Sequence, residues 1–234
     1  WKLKVMYDKK QRNILCMYAL SLLISFLRNY QGAIGWRATT GTWEFKCSSS
    51  LISSKFVLTA AHCSRASDRD TSIADPVPKI IRLGNRNIID VYANGALPTD
   101  AKIITILVHP KYSPPKNYHD VALMELEKVL EFSKYIQPAC LWTRFNTDAL
   151  GTRATVAGWG VVESRKKICC CKYDCYSGGP LQVEIPLPET SEGRMHYIVG
   201  VTSFGIGCAL PNLPGIYSRV SMYLDWIELN VWGK

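Results

Sequence analysis

The sequence predicts an all-β chain, a sandwich or barrel carrying one C-terminal helix, on three observations. Short β-rich runs recur after residue 35 with turn residues between them. Only the tail shows apolar side chains at helical spacing. The 234 residues are 47% hydrophobic and 20% charged, ordinary values for a chain that folds. That apolar content excludes intrinsic disorder, and a chain of this length buries about 70–75% of its unfolded surface. No apolar run reaches the roughly 20 residues of a membrane helix, which excludes a multi-span membrane protein. The formal charge of +9 is spread along the chain. It points to a basic secreted protein rather than a nucleic-acid binder.

The strand candidates, in order, are Trp43–Cys47, Phe56–Leu58, Lys79–Leu83, Ile103–Val108, Val121–Leu126, Ala154–Ala157, Tyr197–Ser203 and Gly215–Val220. Gly84-Asn85, Asn94-Gly95 and Pro114-Pro115 punctuate them as turns or loops. In the tail, Ser221 is placed to cap a helix whose apolar face carries Met222, Trp226, Leu229 and Val231. Ahead of all this, Lys2, Lys4, Lys9, Lys10 and Arg12 precede an apolar stretch, Ile14 to Leu27, broken by Ser21 and Ser25. A basic start followed by a short apolar run is the pattern of a secretory signal, so residues 1–30 are expected to be a signal-like segment and residues 31–234 the folded domain. The chain opens on Trp1 rather than Met, as a piece of a longer protein would.

Nine cysteines, Cys16, Cys47, Cys63, Cys140, Cys169, Cys170, Cys171, Cys175 and Cys208, are widely and irregularly spaced. That usage suits disulfides in an oxidising compartment, hence an extracellular protein. A zinc site needs two close pairs of ligands. The cluster Cys169–Cys171 with Cys175 has no second pair and no nearby His, so no metal is expected.

Three short motifs carry chemistry. Thr59-Ala60-Ala61-His62-Cys63 follows a strand-like run, Asp120 opens the run Val121-Ala122-Leu123-Met124, and Ser177 precedes Gly178-Gly179-Pro180. A serine hydroxyl is a weak nucleophile until an adjacent base takes its proton. Histidine suits that task because its ordinary pKa is about 6.5. A buried carboxylate holds the imidazole in one tautomer and stabilises the imidazolium. Small residues after the serine permit a tight turn and bring backbone N–H groups near the reacting carbonyl. Each motif alone is commonplace; the ordered set on a cysteine-rich all-β chain is not.

With these residues the sequence resembles the trypsin-like (chymotrypsin-fold) serine proteases over roughly residues 33–231. The resemblance runs through Cys47-Ser48-Ser49-Ser50-Leu51-Ile52, Phe56-Val57-Leu58-Thr59-Ala60-Ala61-His62-Cys63, Ile81-Arg82-Leu83-Gly84 and Tyr118-His119-Asp120-Val121-Ala122-Leu123. It continues through Ile136-Gln137-Pro138-Ala139-Cys140-Leu141, Ala157-Gly158-Trp159-Gly160, Ser177-Gly178-Gly179-Pro180-Leu181, Ser203-Phe204-Gly205-Ile206-Gly207-Cys208 and Pro214-Gly215-Ile216-Tyr217-Ser218-Arg219-Val220. The pattern is most similar to the clip-domain proteases of arthropod immune and developmental cascades, though this sequence shows no clip domain.

The resemblance implies two antiparallel β-barrels of the six-stranded type with a C-terminal helix, the second barrel truncated, and an active site in the cleft between them. His62 and Asp120 would sit on the first barrel and Ser177 on the second. Cys47 and Cys63 would form a disulfide beside His62, Cys208 would pair with Cys175, and Cys140 would reach upstream, where Cys16 is the candidate. Ser203, Phe204 and Gly205 would line the edge that receives the substrate backbone, and Gly215 a wall of the specificity pocket. Asp174 stays open between two alignments. Counting back from Ser177 without a gap makes Tyr173 the disulfide position and Asp174 a rim residue. With a short loop, Cys175 keeps the disulfide and Asp174 becomes a pocket carboxylate that would select Arg or Lys. The implied partners are a protein substrate, serpin-type inhibitors and cascade proteases. No cofactor and no nucleic acid are implied.

The sequence departs from the family pattern at three places. Arg28-Asn29-Tyr30-Gln31-Gly32-Ala33-Ile34-Gly35 occupies the approach where the family has Ile-Val-Gly-Gly after a basic cleavage residue. Cys175-Tyr176 stand where the family has Gly-Asp before the nucleophile. Only 16 residues, 161–176, separate Gly160 from Ser177, where the family carries several tens. The first two are physically linked, because in the family the new N-terminal ammonium pairs with that Asp and orders the oxyanion hole. A poorly formed hole costs at least about 10²–10³ in rate. The sequence therefore supports a secreted serine endopeptidase, with two alternatives: a catalytically impaired homologue that binds or regulates, and an incomplete gene model of an active protease.

Overall fold

The computed structural model describes residues 29–84, 98–146, 150, 153–159, 177–186, 194–205 and 215–233. They form one closed six-stranded barrel, one further sheet and a single C-terminal helix.

The barrel is built from β1 (Gln31–Arg37), β2 (Trp43–Leu51), β3 (Phe56–Thr59), β4 (Ile80–Leu83), β5 (Thr99–Val108) and β6 (Ala122–Leu126). Its strand order is β1-β2-β3-β6-β5-β4, closed by antiparallel pairing of β1 with β4. Closure leaves no unpaired edge. Ile34, Leu51, Leu58, Ile81, Leu83, Leu123, Met124 and Leu126 are each at most 1% exposed and fill the core. On β6 only Glu125 is part-exposed, and it pairs with Lys55 at 2.8 Å. The sequence reading missed β1 because it is poor in β-branched residues and contains Gly32 and Gly35. Closure requires that smallness: a Cβ at Gly32 would stand 2.6 Å from Ile81 Cγ2.

The second sheet contains β7 (Cys140–Leu141), β8 (Thr155–Val156), β9 (Pro180–Pro186), β10 (Arg194–Gly205) and β11 (Gly215–Arg219). Its order is β11-β10-β9-β8, with β7 alongside β10 in parallel through Tyr197↔Cys140 and Ile198↔Leu141. Among the described residues it is a five-stranded sheet, so the two-barrel expectation takes the form of one closed barrel and one open sheet. Strands β7 and β9 were not anticipated. The first is only two residues long, and the second is bounded by prolines.

The tail forms α1 (Leu224–Val231). Its N-cap is Tyr223, without a side-chain cap hydrogen bond, and Ser221 lies instead in a 3₁₀ turn at Val220–Met222. The expected capping role of Ser221 is therefore corrected. The apolar face is also rotated from the expected one. Ile227 is fully buried, with Trp226 and Val231 packed against the core, while Met222 and Leu229 are 62% and 68% exposed. Met222 lies before the helix, so the expected spacing started from a residue outside it.

Candidate active site

Strand β3 ends at Thr59, and the chain turns through a 3₁₀ segment, Ala61–Ser64, that buries Ala61 and Cys63 and leaves His62 31% exposed. Cys63 is bonded to Cys47 on β2, with S–S 2.00 Å, which staples the turn to the barrel. Asp120 directly precedes β6, and β6 pairs with β3 through Thr59↔Ala122. That register brings His62 and Asp120 out at the same end of the barrel.

The Asp120 side chain is 2% exposed. Oδ1 accepts a hydrogen bond from the His62 backbone N–H at 2.9 Å, and Oδ2 lies 2.8 Å from His62 Nδ1. The Ser203 hydroxyl also donates to Oδ2. Burial alone would raise the Asp120 pKa. The hydrogen bond and charge of His62, with the Ser203 hydroxyl, outweigh it and hold the carboxyl below its ordinary value. An ionised carboxylate only accepts, so Nδ1 carries its proton toward Asp120 and proton exchange falls to Nε2.

Two serines of the second sheet complete this anchorage. Ser203 on β10 supplies the bond just described, and the Ser218 hydroxyl on β11 donates to the Asp120 carbonyl oxygen at 2.9 Å. Ser203 was expected at the substrate edge; its backbone lies on β10 while its side chain is committed to Asp120.

Ser177 stands in the turn that enters β9 and is 3% exposed. Its carbonyl accepts from the Ser48 backbone N–H at 2.8 Å. Gly178 follows at φ +74°, where a Cβ would collide with Thr59 Oγ1 and the Ser48 carbonyl and stand 3.2 Å from Cys63 Sγ. Only glycine meets both requirements. Gly178 N–H donates to the Thr202 carbonyl and Thr202 N–H to the Gly179 carbonyl, each at 2.8 Å. The turn therefore rests on the same disulfide that His62 touches, Nε2 lying 3.6 Å from Cys63 Sγ. Among the described residues no hydrogen bond joins His62 Nε2 to Ser177.

Gly205 and Gly215 face each other at the end of the β10–β11 pair. Asp174, Cys175, Cys208 and Cys16 lie outside the described residues; Cys140 is disulfide-bonded. Cys47, His62 and Cys63 bring potential ligand atoms within 4.8 Å of one another, but both sulfurs are spent in the disulfide and are not thiolate donors.

Sequence reasoning missed Ser48 as a site residue. Besides holding the Ser177 carbonyl, its hydroxyl accepts from Trp159 N–H at 2.6 Å and lies 3.3 Å from the Trp159 carbonyl. The available signal was the run Ser48-Ser49-Ser50, polar residues in the buried half of β2. Ser218 carried no such signal.

A profile of the trypsin family matches residues 26–174 and 170–227. The chain belongs to the trypsin family. Serine protease snk of Drosophila melanogaster is 32% identical over 85% of this chain and 53% of its own length. Serine protease Hayan of the same organism is 32% identical over 82% of this chain and 35% of its own length. A venom protease of Bombus pensylvanicus is 34% identical over 78% of this chain and 84% of its own length. This trypsin-family chain thus spans about half or less of the first two relatives. No described helix is long and apolar enough to cross a membrane.

Proposed function

We propose that residues 31–234 are a serine endopeptidase domain in which Ser177 attacks the substrate carbonyl, His62 is the general base and acid, and Asp120 orients the imidazole. The observation that carries this reading is the Asp120 carboxylate, buried and bound by His62 Nδ1, His62 N–H and the Ser203 hydroxyl. That arrangement leaves the lone pair on His62 Nε2 to take the Ser177 proton as the tetrahedral intermediate forms. The same proton then passes to the leaving amine, and water repeats the sequence to release the acyl group. A long or missing base–nucleophile hydrogen bond without substrate is compatible with this chemistry, since such bonds tighten on binding. The Cys47–Cys63 disulfide supports an oxidising compartment, so the proposed location is extracellular, and residues 1–30 are proposed as the signal-like segment. The proposed partners are a polypeptide substrate, with serpin-type inhibitors and cascade proteases.

One observation favours a second reading, a catalytically impaired homologue that binds or regulates. Cys175-Tyr176 stand before Ser177, where the family pattern has Gly-Asp. Labelling with a fluorophosphonate probe, followed by peptide mapping, separates the two. Adduct on Ser177 that disappears in His62→Ala supports the endopeptidase. An unlabelled Ser177 in a folded chain supports the homologue.

A further inference from the structure

Beside the site lies a cavity of about 620 Å³ between the segment Pro115–His119 and strands β10 and β11. Lys116, Ser203, Phe204, Ile216 and Arg219 are among the residues that line it. Its lining contains two full cations, Lys116 and Arg219, and no carboxylate. Among the described residues neither cation forms an ion pair; Arg219 lies over the Phe145 ring at 5.1 Å from its centroid. His119 also lines the cavity, and its buried Nδ1 has no hydrogen-bond partner.

The cavity lies beside a strand edge that has no ladder partner on one side among the described residues. Thr202 is still bonded to Gly178 and Gly179, but beyond it, at Phe204–Gly205, β10 is paired with β11, its pairing with β9 having ended at Val201↔Pro180. An extended polypeptide can add to such an edge through main-chain hydrogen bonds, with alternate side chains entering adjoining pockets. A pocket with unpaired cations attracts an anionic side chain and repels a cationic one. We propose that this cavity binds a Glu or Asp side chain of the polypeptide laid along Ser203–Gly205. Lys116 and Arg219 are then specificity-determining residues. The inference rests on the endopeptidase reading for the identity of its occupant as a substrate.

The test uses the full chain carrying Ser177→Ala, so that a bound peptide is not turned over. A fluorescently labelled Glu-bearing peptide and its Gln twin are titrated by anisotropy. The expected result is on the order of tenfold tighter binding of the Glu peptide at low ionic strength, shrinking as salt rises. Lys116→Gln with Arg219→Gln removes the difference, and Lys116→Arg with Arg219→Lys, which keeps both charges, preserves most of it. Equal affinities, a preference that survives loss of both charges, or no binding of either peptide overturns the proposal. Fluorophosphonate labelling of the unsubstituted chain is read separately. Labelled Ser177 with equal peptide affinities overturns the cavity assignment alone. Unlabelled Ser177 with Glu-selective binding overturns catalysis and leaves an acidic-peptide site.

Discussion

In the first barrel six strands close on themselves, and the buried hydroxyls find partners: Ser49 Oγ donates to the Gly32 carbonyl at 3.1 Å and Thr59 Oγ1 to the Ser48 carbonyl at 2.7 Å. Gln31 Nε2 is the exception on those strands. In the second sheet five strands stay open among the described residues. There Gln182, 0% exposed, carries both amide atoms without a partner, and the Thr202 hydroxyl has none either. The first half holds His62 and Asp120, the proposed base and its orienting acid, in a satisfied frame. The second supplies Ser177, the proposed nucleophile, and the two serines that reach Asp120, from a less satisfied one. Asp120 is thus anchored from both halves, by His62 on the barrel side and by Ser203 and Ser218 from the second sheet, and the second half is where stability is left to gain.

The largest effect that would break this comparison falls on Asp120. Asp120→Asn removes the acceptor that sets the His62 tautomer, and the expected loss in Ser177 labelling rate is on the order of 10³–10⁴. A rate within a few-fold of the unsubstituted chain would show that the barrel-side anchor is not what readies the imidazole.

Next is the staple under both His62 and Gly178. Replacing Cys47 and Cys63 together with Ala opens a loop with a sequence separation of 16, and denaturant unfolding should show a loss of about 2–5 kcal/mol. A loss well below that range would mean the closed barrel holds this region without help.

Gln182→Leu sharpens the contrast from the other side. Removing a buried, unpartnered amide and leaving a side chain of similar volume is expected to stabilise by roughly 1–2 kcal/mol. A fall in Tm would reveal that the Gln182 amide is hydrogen-bonded in solution.

The smallest expected effects are in the pH dependence of stability. Burial foremost, then the charges of His119 and Lys111, depress the His109 pKa. His109 stacks on His119 and meets the edges of Tyr223 and Trp226. The unfolded chain therefore binds this proton first, and stability falls as pH drops from about 6.5 through the depressed folded value. His109→Gln should flatten the curve in that window. Asp120 acts lower on the scale. Its depressed folded pKa contributes stability that is present above about 3.9 and lost as pH falls through the folded value. An unchanged slope below about pH 6.5 in His109→Gln would remove the histidine stack from this account.

Local chemistry in the sequence was enough for the all-β class, for most strands of the barrel and for singling out His62 and Asp120, which the structure brings together. Strands such as Phe56–Thr59 and Ala122–Leu126 are short apolar runs whose side chains both demand burial and fit a pleat, and Gly178 marks a turn that no other residue enters. Tertiary structure alone decided the rest. Gln31–Arg37 is a strand because barrel closure needs small residues against Ile81, a demand made by a partner far along the chain. Ser221 lost its expected cap, and the helix turned Ile227 inward, because packing against the core outweighs local propensity. Ser48, Ser203 and Ser218 are ordinary polar residues until the two halves meet. Only that meeting directs the Ser203 and Ser218 hydroxyls at Asp120 and the Ser48 backbone N–H at the Ser177 carbonyl, since a hydrogen bond depends on positions in space that no spacing along one strand encodes.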